Sequence, residues 1–182
     1  MTGEPTRRLR IVLTGPESTG KSTLAAQLSR RWSVPCAMEY ARMYLEAHGP
    51  AYDYELLGQM AREHVAYQRE LVPPSAPLGV FDTDLINYKI WCEVAFGRCP
   101  PDLIEALEQE VNHVYLLCAP DIPWTPDPLR EHPNDRLALW ERHRREIERL
   151  GRAYALVEGM GEQRWLNAEA AFRTLAGLLA VS

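Results

Sequence analysis

The sequence predicts an α/β fold: a doubly wound parallel sheet of about five strands, with helices on both faces and a small lid. Three observations predict it. Short apolar runs alternate with segments of helical spacing along the chain, the pattern of a parallel sheet covered on both faces. The first apolar run leads directly into Gly15-Pro16-Glu17-Ser18-Thr19-Gly20-Lys21-Ser22, a glycine, four residues, then Gly-Lys-Ser. In such a P-loop, consecutive backbone N–H groups curl around a phosphate between a buried strand and a helix. Finally, acidic residues close the second and third apolar runs, at the strand ends where a parallel sheet gathers its ligands.

The elements follow in order. Leu9–Thr14 is the first strand, its Ile11, Val12 and Leu13 suited to burial on both faces. Ser22–Trp32 suits the helix after the loop, and its N-terminus favours an anion. Cys36–Glu39 reads as a second strand, followed by helices Ala41–His48 and Tyr54–Leu71. Val72-Pro73-Pro74-Ser75-Ala76-Pro77 is a stiff connector into a third strand, Leu78–Phe81. Helices Leu85–Phe96 and Pro101–Val111 precede a fourth strand, His113–Cys118. Ala119–Asp135 is long and irregular, with prolines at 120, 123, 126, 128 and 133, and a lid is expected within 119–136. Helix Arg136–Leu150, strand Tyr154–Val157 and helix Ala168–Leu179 complete a single domain over residues 1–182. The apolar stripe of that last helix suits either covering the sheet or joining two subunits as a homo-oligomer.

Composition narrows the functional classes. The chain has 182 residues, 46% hydrophobic and 25% charged, enough for a real core. A formal charge of −5 argues against a general nucleic-acid-binding surface. Cys36, Cys92, Cys99 and Cys118 form no CxxC pair and have no histidine at metal-ligand spacing, so reduced thiols are expected. Met1–Arg10 lacks the apolar core of a signal peptide, and no run reaches membrane-spanning length. A cytoplasmic protein without membrane partners is the expectation.

Candidate site residues lie at the strand ends. Gly15 through Thr23 are assigned to the nucleotide, with Lys21 reaching the β- and γ-phosphates and the Ser22 hydroxyl ligating Mg²⁺. Asp82 and Asp84, in Val80-Phe81-Asp82-Thr83-Asp84, follow the third strand. Asp82 can hold Mg²⁺ or its waters, and Asp84 can receive a substrate hydroxyl or simply cap the next helix. Glu39-Tyr40-Ala41-Arg42 closes the second strand. There Glu39 can bind or deprotonate an acceptor, and Arg42 can pair with Glu39 or contact phosphate. Arg130 and Arg136, on the lid, suit the neutralisation of charge that phosphoryl transfer demands. Tyr40, Tyr54, Tyr88, Trp91 and Trp124 are candidate platforms for a substrate ring, with most of the aromatic residues expected in the core. Arg164, in the turn Glu158–Arg164, is a candidate to lie against adenine.

Together these segments resemble the ribosylnicotinamide kinase domain of the NadR proteins. The resemblance rests on Gly15–Ser22, Glu39-Tyr40-Ala41-Arg42, Phe81-Asp82-Thr83-Asp84, Trp124 and Asp127-Pro128-Leu129-Arg130. It implies an ATP- and Mg²⁺-dependent kinase that phosphorylates the ribose 5′-hydroxyl of nicotinamide riboside to give nicotinamide mononucleotide. By analogy, Glu39 or Asp82 is the base. The family's full-length members carry an adenylyltransferase domain before the kinase. Here about ten residues precede the first strand and no His-x-Gly-His motif occurs, so neither adenylyl transfer nor DNA-linked regulation is expected. Two alternatives stand beside this reading: a kinase for another nucleoside or nucleotide, and a nucleotide-binding switch.

Overall fold

The computed structural model describes residues 8–177. Five strands form one parallel sheet in the order β2-β3-β1-β4-β5. They are β1 (Leu9–Thr14), β2 (Cys36–Ala37), β3 (Leu78–Asp82), β4 (His113–Cys118) and β5 (Tyr154–Val157). All six residues of β1 are buried, as its central place requires. Register sets Leu13 of β1 beside Asp82 of β3 and Leu116 of β4. The carboxyl ends of the three middle strands therefore open at one level, beside the loop.

Among the described residues seven helices cover the sheet: α1 (Lys21–Trp32), α2 (Tyr40–His48), α3 (Tyr54–Leu71), α4 (Leu85–Phe96), α5 (Pro101–Gln109), α6 (Arg136–Arg149) and α7 (Gly161–Gly177). Successive side chains of a strand point to opposite faces, so β1 feeds two cores. Ile11 and Leu13 join Leu24 and Leu28 of α1 and Phe172 and Leu175 of α7. Val12 joins Leu57 and Met60 of α3, Ile86 and Ile90 of α4, and Ile147 of α6.

Three boundaries differ from expectation by two residues or more. The second strand keeps ladder pairing only at Cys36 and Ala37, because Glu39 leaves the sheet to become the residue before α2. Helix α5 ends at Gln109 rather than Val111, where Asn112 takes a left-handed backbone (φ 69°) to turn the chain into β4. Helix α7 begins at Gly161, seven residues before Ala168. Gly159 (φ 93°) makes the turn, and Glu162-Gln163-Arg164 are already helical. Leu178 and Leu179 of the expected helix lie outside the described residues. Among the described residues no helix is long and apolar enough to cross a membrane.

Candidate active site

The site is built around the loop between β1 and α1. Gly15 has φ +131°, and a Cβ there would lie 2.7 Å from the Cys118 carbonyl oxygen of β4. Only glycine lets the loop approach β4 this closely. Gly20 precedes α1 with no side-chain cap, which leaves the first N–H groups of the helix free for an anion. Lys21 Nζ donates to the Pro16 carbonyl at 2.7 Å, and Thr19 Oγ1 donates to the same oxygen at 2.9 Å. The loop's own carbonyl thus holds the ammonium in the position where a phosphate oxygen would compete for it. A cavity of about 230 Å³ lies against the loop; its walls include residues 16–23, Glu39, Arg42, Asn87, Trp91, Arg130 and His143.

Asp82 ends β3 and is completely buried under this wall rather than exposed on it. Neither carboxylate oxygen has a hydrogen-bond partner among the described residues. Burial, then the charge of Glu39, push its pKa up to about 6, against the opposing pull of Ser22 and Lys21. Thr83 fixes this carboxylate. It takes a left-handed backbone (φ 71°), its N–H donates to the Leu13 carbonyl at 3.0 Å, and its own carbonyl accepts Gln68 Nε2 at 3.0 Å. A buried carboxylate without partners, beside a serine hydroxyl and a loop lysine, is an oxygen-donor set that suits a hard divalent cation.

Several expected site residues are placed elsewhere. Asp84, a candidate for the substrate hydroxyl, is wholly buried on the far face. It caps α4 through the Ile86 N–H (3.0 Å) and accepts from Tyr115 Oη (2.7 Å), with His113 Nδ1 at 3.2 Å. Burial pushes Asp84 up, but His113, Tyr115 and Arg152 hold it below its usual value. Tyr88 is fully buried with an unpartnered hydroxyl, edge-on to His64, and lies off the cavity wall. Tyr40 donates to Glu63 at 2.6 Å, and Tyr54 lies under the Arg98 guanidinium and against Phe96, so neither lines the cavity. Trp91 alone of the five candidate aromatic residues lines it.

The cationic residues divide in the same way. Arg42 lines the cavity, 3.2 Å from Asp127 and 3.9 Å from Glu39. Arg130 also lines it, donating to the Thr125 carbonyl. Arg136 instead donates to the carbonyls of Ser18, Pro120 and Ile122, which join the loop to the proline-rich segment. Arg164 is buried, with its guanidinium on the carbonyls of Thr19, Ala119 and Gly159 and on Asp121. It braces the loop from behind and offers no free face to a base. Trp124 Nε1 donates to Glu17 Oε1 at 2.9 Å, a contact to the loop, and the residue is not on the cavity wall.

Two polar wall residues, both on helices outside the lid, were not anticipated. His143 Nδ1 lies 2.9 Å from Thr14 Oγ1, and burial followed by the charge of Lys21 lowers its pKa to about 3, so it stands neutral behind the loop. The arginine-rich run of α6 hid it. Asn87 lies one turn into α4 from Asp84, and a polar residue at that spacing after a capping aspartate was the available signal.

A phosphate loop at the carboxyl end of the central strand, in a 2-3-1-4-5 parallel sheet, defines an α/β protein with a P-loop kinase-like fold. Residues 10–164 match the AAA domain family, and the chain belongs to that family. It is 27% identical over 124 residues to the trifunctional NAD biosynthesis/regulator protein NadR of Salmonella typhimurium strain LT2, covering 66% of this chain and 30% of that protein. Among solved structures it is similar to the NadR protein in complex with NR, with a TM-score of 0.71 at 22% identity, over 93% of this chain and 51% of the other. It is also similar to NadR in complex with NAD and AMP-PNP, with a TM-score of 0.69 at 21% identity, over 93% and 50% of the two chains. The chain therefore spans about half the length of these structures and less than a third of the curated relative.

Proposed function

We propose that this protein is an ATP-dependent kinase that phosphorylates the 5′-hydroxyl of nicotinamide riboside, giving nicotinamide mononucleotide. The observation that carries the reading is the buried, unpartnered Asp82 beside Ser22 and Lys21, facing Glu39 at the foot of the loop. The likeness to NadR, whose structure holds NR, supports this choice of acceptor.

The loop N–H groups and the start of α1 bind the phosphates of ATP, and Lys21 exchanges the Pro16 carbonyl for a phosphate oxygen. Ser22 and Asp82 would hold Mg²⁺, which supplies charge neutralisation between the phosphates. Glu39 stands on the cavity wall whereas Asp82 does not. Glu39 therefore takes the proton of the acceptor hydroxyl while that oxygen bonds to the γ-phosphorus and the bond to the β-phosphate oxygen breaks, releasing ADP. Residues 119–136 act as the lid, and Arg130 meets the charge developing on the transferred group. Trp91, on the cavity wall, suits a cationic pyridinium ring.

A second reading keeps the transfer and changes the acceptor to another nucleoside. It is favoured by one observation: Trp124 is not on the cavity wall, so the wall offers fewer aromatic faces than the resemblance implies. The experiment is transfer from γ-labelled ATP with Mg²⁺ across nicotinamide riboside, the common nucleosides and no acceptor. Labelled nicotinamide mononucleotide is expected, and Lys21→Ala should lower its formation about a thousandfold in a folded protein. Label on another nucleoside alone discards the NAD assignment, and no labelled product from any acceptor discards the kinase.

A further inference from the structure

The carboxylate of Glu17 is bonded to the proline-rich stretch although its backbone belongs to the loop. Its Oε1 accepts from Trp124 Nε1 at 2.9 Å and from the His132 N–H at 2.9 Å, and its Oε2 accepts from the Glu131 N–H at 2.9 Å. Next to it, Ser18 (φ 54°) accepts the Thr125 N–H on Oγ at 3.0 Å and an Arg136 Nη1 bond on its carbonyl at 3.0 Å. Five hydrogen bonds thus connect two adjacent loop residues to both ends of the stretch 124–136.

A carboxylate in a phosphate-binding loop carries an electrostatic penalty, because its charge repels the anion the loop is built to receive. Here that charge has another use, since three donors of the proline-rich stretch converge on it. Arg130 lies between these anchors, directly before Glu131, and lines the cavity. With Glu17 in place, the backbone on the carboxyl side of Arg130 cannot lift off the loop without breaking charge-assisted hydrogen bonds.

We propose that Glu17 is a positioning residue: it clamps residues 124–136 onto the phosphate loop, sets Arg130 at the cavity wall and closes the site to water. Its effect on turnover rests on the kinase reading above, while its effect on the clamp does not. Loss of the clamp lowers acceptor phosphorylation and raises the share of ATP transferred to water, giving ADP and free phosphate in place of ADP and phosphorylated acceptor. Binding of ATP is not weakened, because the repelling charge goes with it.

The test has two arms. In nucleotide-free protein, amide hydrogen exchange at Glu131 and His132 should be about tenfold faster in Glu17→Ala than in wild type, as expected when their acceptor is removed. Glu17→Gln keeps the Oε1 acceptor for Trp124 and His132 but turns an amide donor toward the Glu131 N–H, so it should fall between the two. Unchanged exchange at both amides overturns the clamp. In the assay, Glu17→Ala should lower kcat for transfer about tenfold or more with an unchanged or lower KM for ATP. The ratio of hydrolysis to transfer should rise, and Glu17→Gln should restore part of the loss. A raised KM with an unchanged ratio overturns the closing role. If wild type phosphorylates no acceptor, the kinase reading falls alone, and the exchange arm still decides the clamp.

Discussion

Asp82 and Asp84 are two residues apart, both fully buried, and treated in opposite ways. Around Asp84 both carboxylate oxygens have partners: the Ile86 N–H on one, Tyr115 and His113 on the other. Arg152 stands behind, donating to Tyr115 Oη at 2.6 Å. Around Asp82 the Ser22 hydroxyl, Lys21 and the Glu39 backbone stand near, but among the described residues none completes a hydrogen bond to either oxygen. The first carboxylate is therefore stabilised in the charged form and the second is held against it, with a pKa of about 6. The difference teaches that burial alone does not mark a structural residue. A buried charge with complete partners holds the fold, whereas one without partners is kept for something that arrives later.

The largest effect should come from breaking the satisfied side. Asp84→Ala leaves His113 and Tyr115 facing an empty acceptor and removes the α4 cap, and should cost about 3–5 kcal/mol. Denaturant unfolding measures it. A loss below about 1 kcal/mol would make the two aspartates alike.

Asp82→Asn should do the reverse to stability. Transfer and its Mg²⁺ dependence should fall about a hundredfold or more, while the free protein becomes more stable at pH 8 by about 1–3 kcal/mol. A simultaneous drop in melting temperature would mean that Asp82 has a structural partner after all.

The sign of that gain should follow pH. Asp82 rises from the usual 3.8 to about 6, so its contribution to stability is full below 3.8 and is lost as pH rises through 6. The stability difference between Asp82→Asn and wild type should thus be near zero at pH 3.5 and reach its plateau above pH 7. His143 acts in the opposite sense. Its pKa falls from 6.5 to about 3, so its contribution is present above pH 6.5 and is lost as pH falls toward 3, at up to about 1.4 kcal/mol per pH unit. Melting temperatures of the two proteins from pH 3.5 to 8 separate these trends.

The smallest effect is expected at Tyr54, which faces Arg98 and Phe96 outside the cavity. Tyr54→Ala should leave KM for the acceptor within about twofold. A large rise in KM would extend the acceptor site beyond the cavity described.

The sequence made the sheet and the loop legible because both are local. Strand runs and helical spacing lie within single segments, and the P-loop is one contiguous motif. The division between Asp82 and Asp84 was only half legible: the sequence offered Asp84 either a substrate hydroxyl or the cap of the next helix, and the cap is what forms. Residues two apart on a continuing strand would share a face. Thr83, in a left-handed conformation at the strand end, breaks that alternation and sends Asp84 to the opposite core. The roles of Trp124, Arg136 and Arg164 were hidden for another reason. Their partners Glu17, Ser18 and Thr19 lie 107, 118 and 145 positions away, and no local pattern carries such a pairing.

The close approach of Gly15 to Cys118 bears on how this chain can vary over time. Any other side chain at position 15 would have to displace the backbone of β4 and accept a conformation that L-residues rarely adopt. A saturation library at that codon, selected for nucleotide binding, should return glycine and nothing else. Lineages descended from this sequence can exchange acceptors and redraw the proline-rich segment, but at this one site drift has nowhere to go.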